Sequence, residues 1–201
     1  SVGMPGAFNV ANALTAAAMV HAAGLDVATA VTGFATAAVP GRMQRVDLGP
    51  GAPSAVVDFA HTPEAVAAAL AALPAPRIAV LGAGGDRDPS KRGPMGAAAA
   101  ANAELVVVTD DNPRSEDPAT IRAAVRDGAE RAEAAEVVDG GDRRSAIGLA
   151  LRRSAGRGWV AVLGKGHETG QDVAGVISPF DDVAVLREEW QRLVGESSEG
   201  A

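Results

Sequence analysis

Five short apolar runs, at residues 54–59, 77–83, 104–109, 137–139 and 158–163, recur along the chain with helical signals between them. The runs are continuously Val, Ile, Leu and Ala rather than alternating, a pattern that suits strands buried on both faces of a parallel sheet. Thr62-Pro63-Glu64 reads as a helix start, with Thr as the cap and Pro in the first turn. Asp117-Pro118 opens a second helix running to about residue 132. Asp142 caps a third, to about residue 154, and residues 181–194 form a last amphipathic helix. Strand and helix in alternation predict a doubly wound, Rossmann-like α/β domain with a mostly parallel sheet. Ahead of it, residues 7–23 and 26–37 read as two helices, closed by Gly24 and by Val39-Pro40-Gly41. The boundary between this helical segment and the sheet domain is expected near residues 39–48.

Composition narrows the chemistry. The 201 residues contain no Cys, which removes disulfide scaffolds, thiolate zinc sites and cysteine nucleophiles together. Three His in unrelated positions make a zinc site an unsupported reading, and no metal-ligand set is predicted. The net charge of −7 argues against a general nucleic-acid binder. No apolar run approaches the roughly 20 residues that span a bilayer, so a soluble cytoplasmic protein with no membrane partner is expected. Among the 18 basic residues only Lys91 and Lys165 are lysines. Lys91 is followed by Arg and Lys165 by Gly, so the chain has no Gly-Lys-Ser/Thr phosphate loop.

Ligands of such sheets bind at the carboxyl ends of the strands. Four predicted tips carry the concentrated polar chemistry: Asp58-Phe59-Ala60-His61, Gly82-Ala83-Gly84-Gly85-Asp86-Arg87-Asp88, Asp110-Asp111-Asn112-Pro113-Arg114, and Gly164-Lys165-Gly166-His167-Glu168. The second tip begins like a dinucleotide fingerprint, but Arg87 stands where the third Gly belongs, which disfavours a nicotinamide site. Together the tips offer guanidiniums (Arg87, Arg114), carboxylates (Asp86, Asp88, Asp111, Glu168), the Asn112 amide and the Lys165 cation. Mixed charge of this kind suits a zwitterion, with Arg taking a carboxylate and an acid taking an ammonium. The competing reading is that Asp86, Arg87, Asp88, Lys91 and Arg92 pair with one another on the surface. His61 and His167 follow strand ends and are functional candidates or turn caps; His21 reads as a partly buried helix residue.

The ordered set Phe8-Asn9-Val10-x-Asn12, Pro40-Gly41-Arg42-Met43, Asp58-Phe59-Ala60-His61-Thr62-Pro63, Gly84-Gly85-Asp86-Arg87-Asp88, Asp111-Asn112-Pro113-Arg114 and Gly164-Lys165-Gly166-His167-Glu168 resembles the Mur ligases of peptidoglycan synthesis. The tetrad at residues 111–114 is similar to that of the diaminopimelate-adding branch. The resemblance implies an ATP-dependent ligase in which a D-glutamyl carboxyl is phosphorylated and the amine of meso-diaminopimelate attacks the acyl phosphate. It implies that Arg87, Asp111, Asn112, Pro113, Arg114, Gly164 and Glu168 bind the amino acid. Asn9, Asn12, Arg42 and Asp58 match nucleotide-contacting positions. His61, Lys165 and His167 lie inside matching motifs without an assigned role. Phe59 stands where many relatives carry Tyr.

The same resemblance divides the chain into 1–40, the end of a central ATP-binding domain, 41–196, a C-terminal Rossmann-like domain, and 197–201, a frayed tail. The chain is then expected to be a fragment. ATP, Mg2+ and the UDP-MurNAc-dipeptide would be served largely by domains outside it, no cofactor would be bound tightly by the chain alone, and no catalytic residue is assigned within it. A non-catalytic ligand-binding module and a lysine-adding or folylpolyglutamate synthase type of ligase remain the alternatives.

Overall fold

The computed structural model describes residues 2–199. Helix α1 (Ala7–Ala22) and the short α2 (Val27–Thr32) come first. Asp26 caps α2 by accepting from the amides of Ala28 and Thr29. The sheet domain then runs β1 (Gln44–Val46), β2 (Ser54–Asp58), α3 (Pro63–Ala71), β3 (Arg77–Leu81), α4 (Arg92–Ala100), β4 (Leu105–Thr109), α5 (Pro118–Glu130), β5 (Glu136–Gly141), α6 (Arg143–Ser154), β6 (Trp159–Leu163), β7 (Gly170–Val173), β8 (Val176–Pro179) and α7 (Asp182–Glu199).

Six strands lie in the order β1-β2-β6-β3-β4-β5. All neighbours are parallel except β1, which pairs antiparallel with β2 at the edge. Strand β6 is inserted between β2 and β3, so the last long crossover returns over strands already laid down. That reversal opens a crevice at the carboxyl edge, where such sheets take ligands. The continuous apolar runs are explained by burial on both faces: Val56, Val57, Val80, Leu81, Val106, Val107, Val162 and Leu163 are all fully buried. Each such side chain contributes roughly 1.5–3 kcal/mol of transfer free energy. One core layer joins α3, α4 and α5 to the sheet through Val66, Leu70, Met95 and Val125. The other joins α6 and α7 through Ile147, Leu151, Val185 and Leu186.

The five predicted strands and the predicted caps are present. Thr62 accepts from the Ala65 amide, Asp117 from Ala119 and Thr120, and Asp142 from Ser145. The sequence reading has no counterpart for β1, α4, β7 or β8. Helix α4 was hidden by its composition, Arg-Gly-Pro-Met-Gly followed by four alanines. Its glycines serve packing: a Cβ on Gly96 would stand 2.0 Å from the Val125 carbonyl oxygen of α5. Strand β1 has three residues, too few to display a period. Helix α7 continues to Glu199 rather than ending near 194, while residues 200 and 201 of the expected tail lie outside the described residues. His21 is exposed, not partly buried, because α1 buries only Asn9.

Candidate functional site

The tips of β2, β3, β4 and β6 converge on one cleft of about 440 Å³. Phe59 and His61, Gly82–Gly84, Asp111 and Asn112, and Gly164 and Glu168 line its strand side. Arg87, Arg92 and Arg114 supply its guanidiniums. The tips therefore share a cleft, and of the charged residues read from the sequence Arg87, Asp88, Asp111, Arg114 and Glu168 line it, whereas Asp86 and Lys165 do not. A groove of about 570 Å³ beside α6 and α7, lined by residues such as Leu151 and Trp190, lies away from these tips.

The backbone of Arg114 is held at both its amide and its carbonyl. Arg114 adopts a left-handed conformation (φ 52°), and its amide donates to the Asp172 carbonyl at 3.0 Å. The Ala174 amide donates back to the Arg114 carbonyl at 2.7 Å, so the β7–β8 hairpin gains Arg114 as a short extra strand. The guanidinium anchors its Nη1 on the Gly85 carbonyl at 2.7 Å and the Asn112 carbonyl at 3.4 Å, and Arg114 lines the cleft. Gly164, at φ 111°, lies close beneath Asp111: a Cβ there would sit 2.5 Å from the Asp111 Oδ2.

Asn112 is the centre of a second cluster. Its Oδ1 accepts from the Asp172 amide at 3.0 Å and from Lys165 Nζ at 3.1 Å, while its Nδ2 donates to Glu168 Oε2 at 2.8 Å. Lys165 is fully buried and donates also to the Gly170 carbonyl at 2.6 Å and to Glu168 Oε2 at 3.4 Å. The sequence reading offered Lys165 as a cation for the ligand. The structure corrects this, because its three donors are taken by protein acceptors. Glu168 remains 39% exposed at its side chain, with Oε1 bearing no hydrogen bond among the described residues.

Below the cleft lies a buried ion pair that no sequence pattern announced. Arg143 forks onto Asp182 through Nε at 2.7 Å and Nη2 at 2.8 Å, with both side chains wholly buried. The same guanidinium donates to the carbonyl of Leu163, at the end of β6, at 3.0 Å. It thus ties the start of α6 and α7 to the strand tip that carries Gly164. Burial pushes the Asp111 carboxyl above its ordinary pKa; Arg143 and Lys165 oppose that shift, and Glu168 and Asp182 reinforce it. Asp142-Arg143 reads as a cap followed by a surface residue, so only the fold distinguishes Arg143 from its exposed neighbour Arg144.

A separate cleft of about 540 Å³ opens between α1 and the edge of the sheet domain. Asn9, Asn12, Arg42, Met43 and Asp58 line it, together with Phe8 and three alanines of α3. Asp58 accepts from the Met43 amide at 2.7 Å and the Ala60 amide at 2.8 Å, yet burial holds its pKa above the ordinary value. Arg42 stacks its guanidinium 4.4 Å over the Phe59 ring, and Phe59 also meets His61 and His167 at 4.7 and 5.6 Å between centroids. Phe59 therefore stands between the two clefts. His167 is exposed, and Pro113 is buried behind the first cleft rather than lining it. The surface ion-pair alternative is not what forms: Arg92 pairs with Glu116 at 2.8 Å, Asp86 accepts from Ser115, and Asp88 from Ser90. Among the described residues no three His, Asp or Glu stand together as a metal-ligand set, and no helix is long and apolar enough to cross a membrane.

A family model described as "Mur ligase, glutamate ligase domain" matches residues 41–166. The chain belongs to the Mur ligase family. It is 53% identical over 198 residues to the UDP-N-acetylmuramoyl-L-alanyl-D-glutamate–2,6-diaminopimelate ligase of Corynebacterium efficiens, covering 94% of this chain and 37% of that protein. The ligase of the same name from Streptomyces coelicolor is 49% identical over 201 residues, covering 96% of this chain and 39% of its own. The chain thus spans 37–39% of the length of these curated relatives. Among solved structures, one of a ligase bearing that name superposes with a TM-score of 0.72 at 36% identity, over 96% of this chain and 40% of the other. A folylpolyglutamate synthase from Mycobacterium tuberculosis, complexed with ADP, superposes with a TM-score of 0.62 at 27% identity, over 81% of this chain and 38% of the other. Within the Mur ligase family, then, the α/β architecture expected from the strand–helix alternation is the one found.

Proposed function

We propose that this chain is the amino-acid-binding part of an ATP-dependent ligase that adds meso-diaminopimelate to UDP-MurNAc-L-Ala-D-Glu in peptidoglycan synthesis, in the cytoplasm. One observation carries the reading: Arg114 and Glu168, of opposite charge, line a single cleft on different strand tips. A guanidinium suits the distal carboxylate of the amino acid, and the open Glu168 oxygen suits its distal ammonium. Arg87, Asp111, Asn112 and Gly164 complete the cleft, with Pro113 buried behind it. Lysine keeps the ammonium but lacks the distal carboxylate, so Arg114 is the group that tells the two apart. The names of the relatives at 53% and 49% identity support the same substrate.

The α1 cleft, with Asn9, Asn12, Arg42 and Asp58, is proposed to contact ATP, while phosphate handling belongs to a neighbouring domain because this sequence has no Gly-Lys-Ser/Thr loop. Residues 1–40 are assigned to that domain and 41–196 to the amino-acid-binding one. The UDP-MurNAc-dipeptide is likewise assigned mainly to domains outside this chain. Among the described residues no three His, Asp or Glu gather as a ligand set, and Mg2+ is assigned with the ATP phosphates to the full-length ligase. This chain's contribution to the reaction is positioning: holding the attacking amine in line, which removes much of the entropy barrier of a bimolecular attack. The purified 201-residue chain alone is expected to turn over no ATP.

The deciding experiment is Arg114→Ala in the ligase that contains this chain. Loss of the carboxylate partner is expected to raise KM for meso-diaminopimelate by about 10–100-fold, leaving little preference over lysine. Unchanged kinetics with both amino acids would overturn the assignment.

A further inference from the structure

We propose that Lys165 is a positioning residue for amino-acid selection, a buried ammonium that holds both charged arms of the cleft in register. The proposal rests on the functional reading above and deepens it. Lys165 is 0% exposed, and an ammonium is costly to bury unless every donor is matched. Its three donors meet the Gly170 carbonyl at 2.6 Å, Asn112 Oδ1 at 3.1 Å and Glu168 Oε2 at 3.4 Å. None is left for a ligand, so Lys165 acts only through these partners.

Each partner leads to one arm. Glu168 Oε2 is shared between Lys165 and Asn112 Nδ2, which leaves Oε1 without a hydrogen bond among the described residues on a side chain that lines the cleft. Gly170 begins β7, the strand whose Asp172 carbonyl accepts the Arg114 amide; Ala174, just beyond it, donates to the Arg114 carbonyl. Asn112 joins the two, because the oxygen that accepts from Lys165 also accepts from the Asp172 amide at 3.0 Å. The carboxylate arm and the ammonium arm, on different strand tips, therefore meet at a single nitrogen. The carboxylate and the ammonium on the distal carbon of the ligand are read against that fixed separation.

The test is Lys165→Met in the ligase containing this chain, with Lys165→Gln as a second variant that keeps a polar head without the charge, one atom shorter. Both are expected to raise KM for meso-diaminopimelate by about tenfold or more, with KM for ATP within about twofold of the parent. In a Glu168→Gln background the increase is expected to shrink, since the two residues act through one contact. An unchanged amino-acid KM in either folded variant overturns the proposal. So does an equal rise for ATP and amino acid, or full additivity with Glu168→Gln, each of which marks a merely structural lysine. A parent ligase that ignores diaminopimelate sinks the functional reading alone, and hydrogen exchange then decides this one. Lost protection at the Asp172 and Ala174 amides in Lys165→Gln, with β4 unaffected, supports it; unchanged protection overturns it.

Discussion

Arg114 and Glu168 are legible in the sequence because four strand tips concentrate polar residues at the edge where such sheets bind ligands. Lys165 is not. Flanked by two glycines in a polar loop, it reads as a cation available to a ligand, and lysines are almost never fully buried. Only the return of the hairpin over the loop, placing Gly170 above it, converts that position into an enclosed one. Gly164 shows the same dependence. Its φ of 111° and the 2.5 Å approach of a would-be Cβ to Asp111 Oδ2 are consequences of β4 and β6 flanking β3. Gly164→Ala is therefore expected to destabilise the chain by about 1–3 kcal/mol through backbone strain and to displace Asp111. Urea unfolding measures the first effect, and a change within 0.5 kcal/mol of zero, the range of an unconstrained surface substitution, would contradict it.

Elements with strong start signals were recovered from sequence, since caps are local chemistry between residues two or three apart. Asp142 is the cap of α6, accepting the Ser145 amide at 3.0 Å. Burial is the largest single influence and raises its pKa, but the Ser145 side chain and amide, with the Arg144 amide and charge, together outweigh it and hold the carboxyl below its ordinary value. A lowered folded-state pKa contributes stability that is present above the unfolded pKa and lost as pH falls through the folded one. Asp142→Asn keeps a capping oxygen but removes the titration. The stability difference between parent and variant is expected to be constant above about pH 5 and to shift toward the variant below about pH 4. Chemical denaturation across that range measures it, and a flat difference would show that the carboxylate gains nothing from the helix end. Helix α4 and the β7–β8 hairpin lack such local signatures. The first is held by close approach to α5 and the second by pairing with Arg114, contacts between residues far apart in sequence.

At the scale of the whole molecule, the charges and the apolar surface divide unequally. The sheet domain buries its hydrophobic side chains in two layers, whereas α1 and its surroundings leave Leu14 at 67%, Met19 at 69% and Leu25 at 63% exposed. Exposed apolar faces of this kind mark contact surfaces. The proposed assignment of residues 1–40 to a neighbouring domain gives that face a partner. Leu14→Glu and Met19→Glu are expected to change the stability of the 201-residue chain by less than about 0.5 kcal/mol, yet to lower the melting temperature of the ligase that contains it. Equal, small effects in both would remove the domain assignment. From sequence alone came the parallel α/β class, the strand tips that gather the chemistry, the absence of a phosphate loop and the family, because periodicity, caps and motif order are properties of neighbouring residues. Tertiary structure decided which charges face the cleft and which are spent inside it. Lys165, Arg143 and Asp182 are polar by composition but interior by topology, and burial depends on what the rest of the chain brings to cover them.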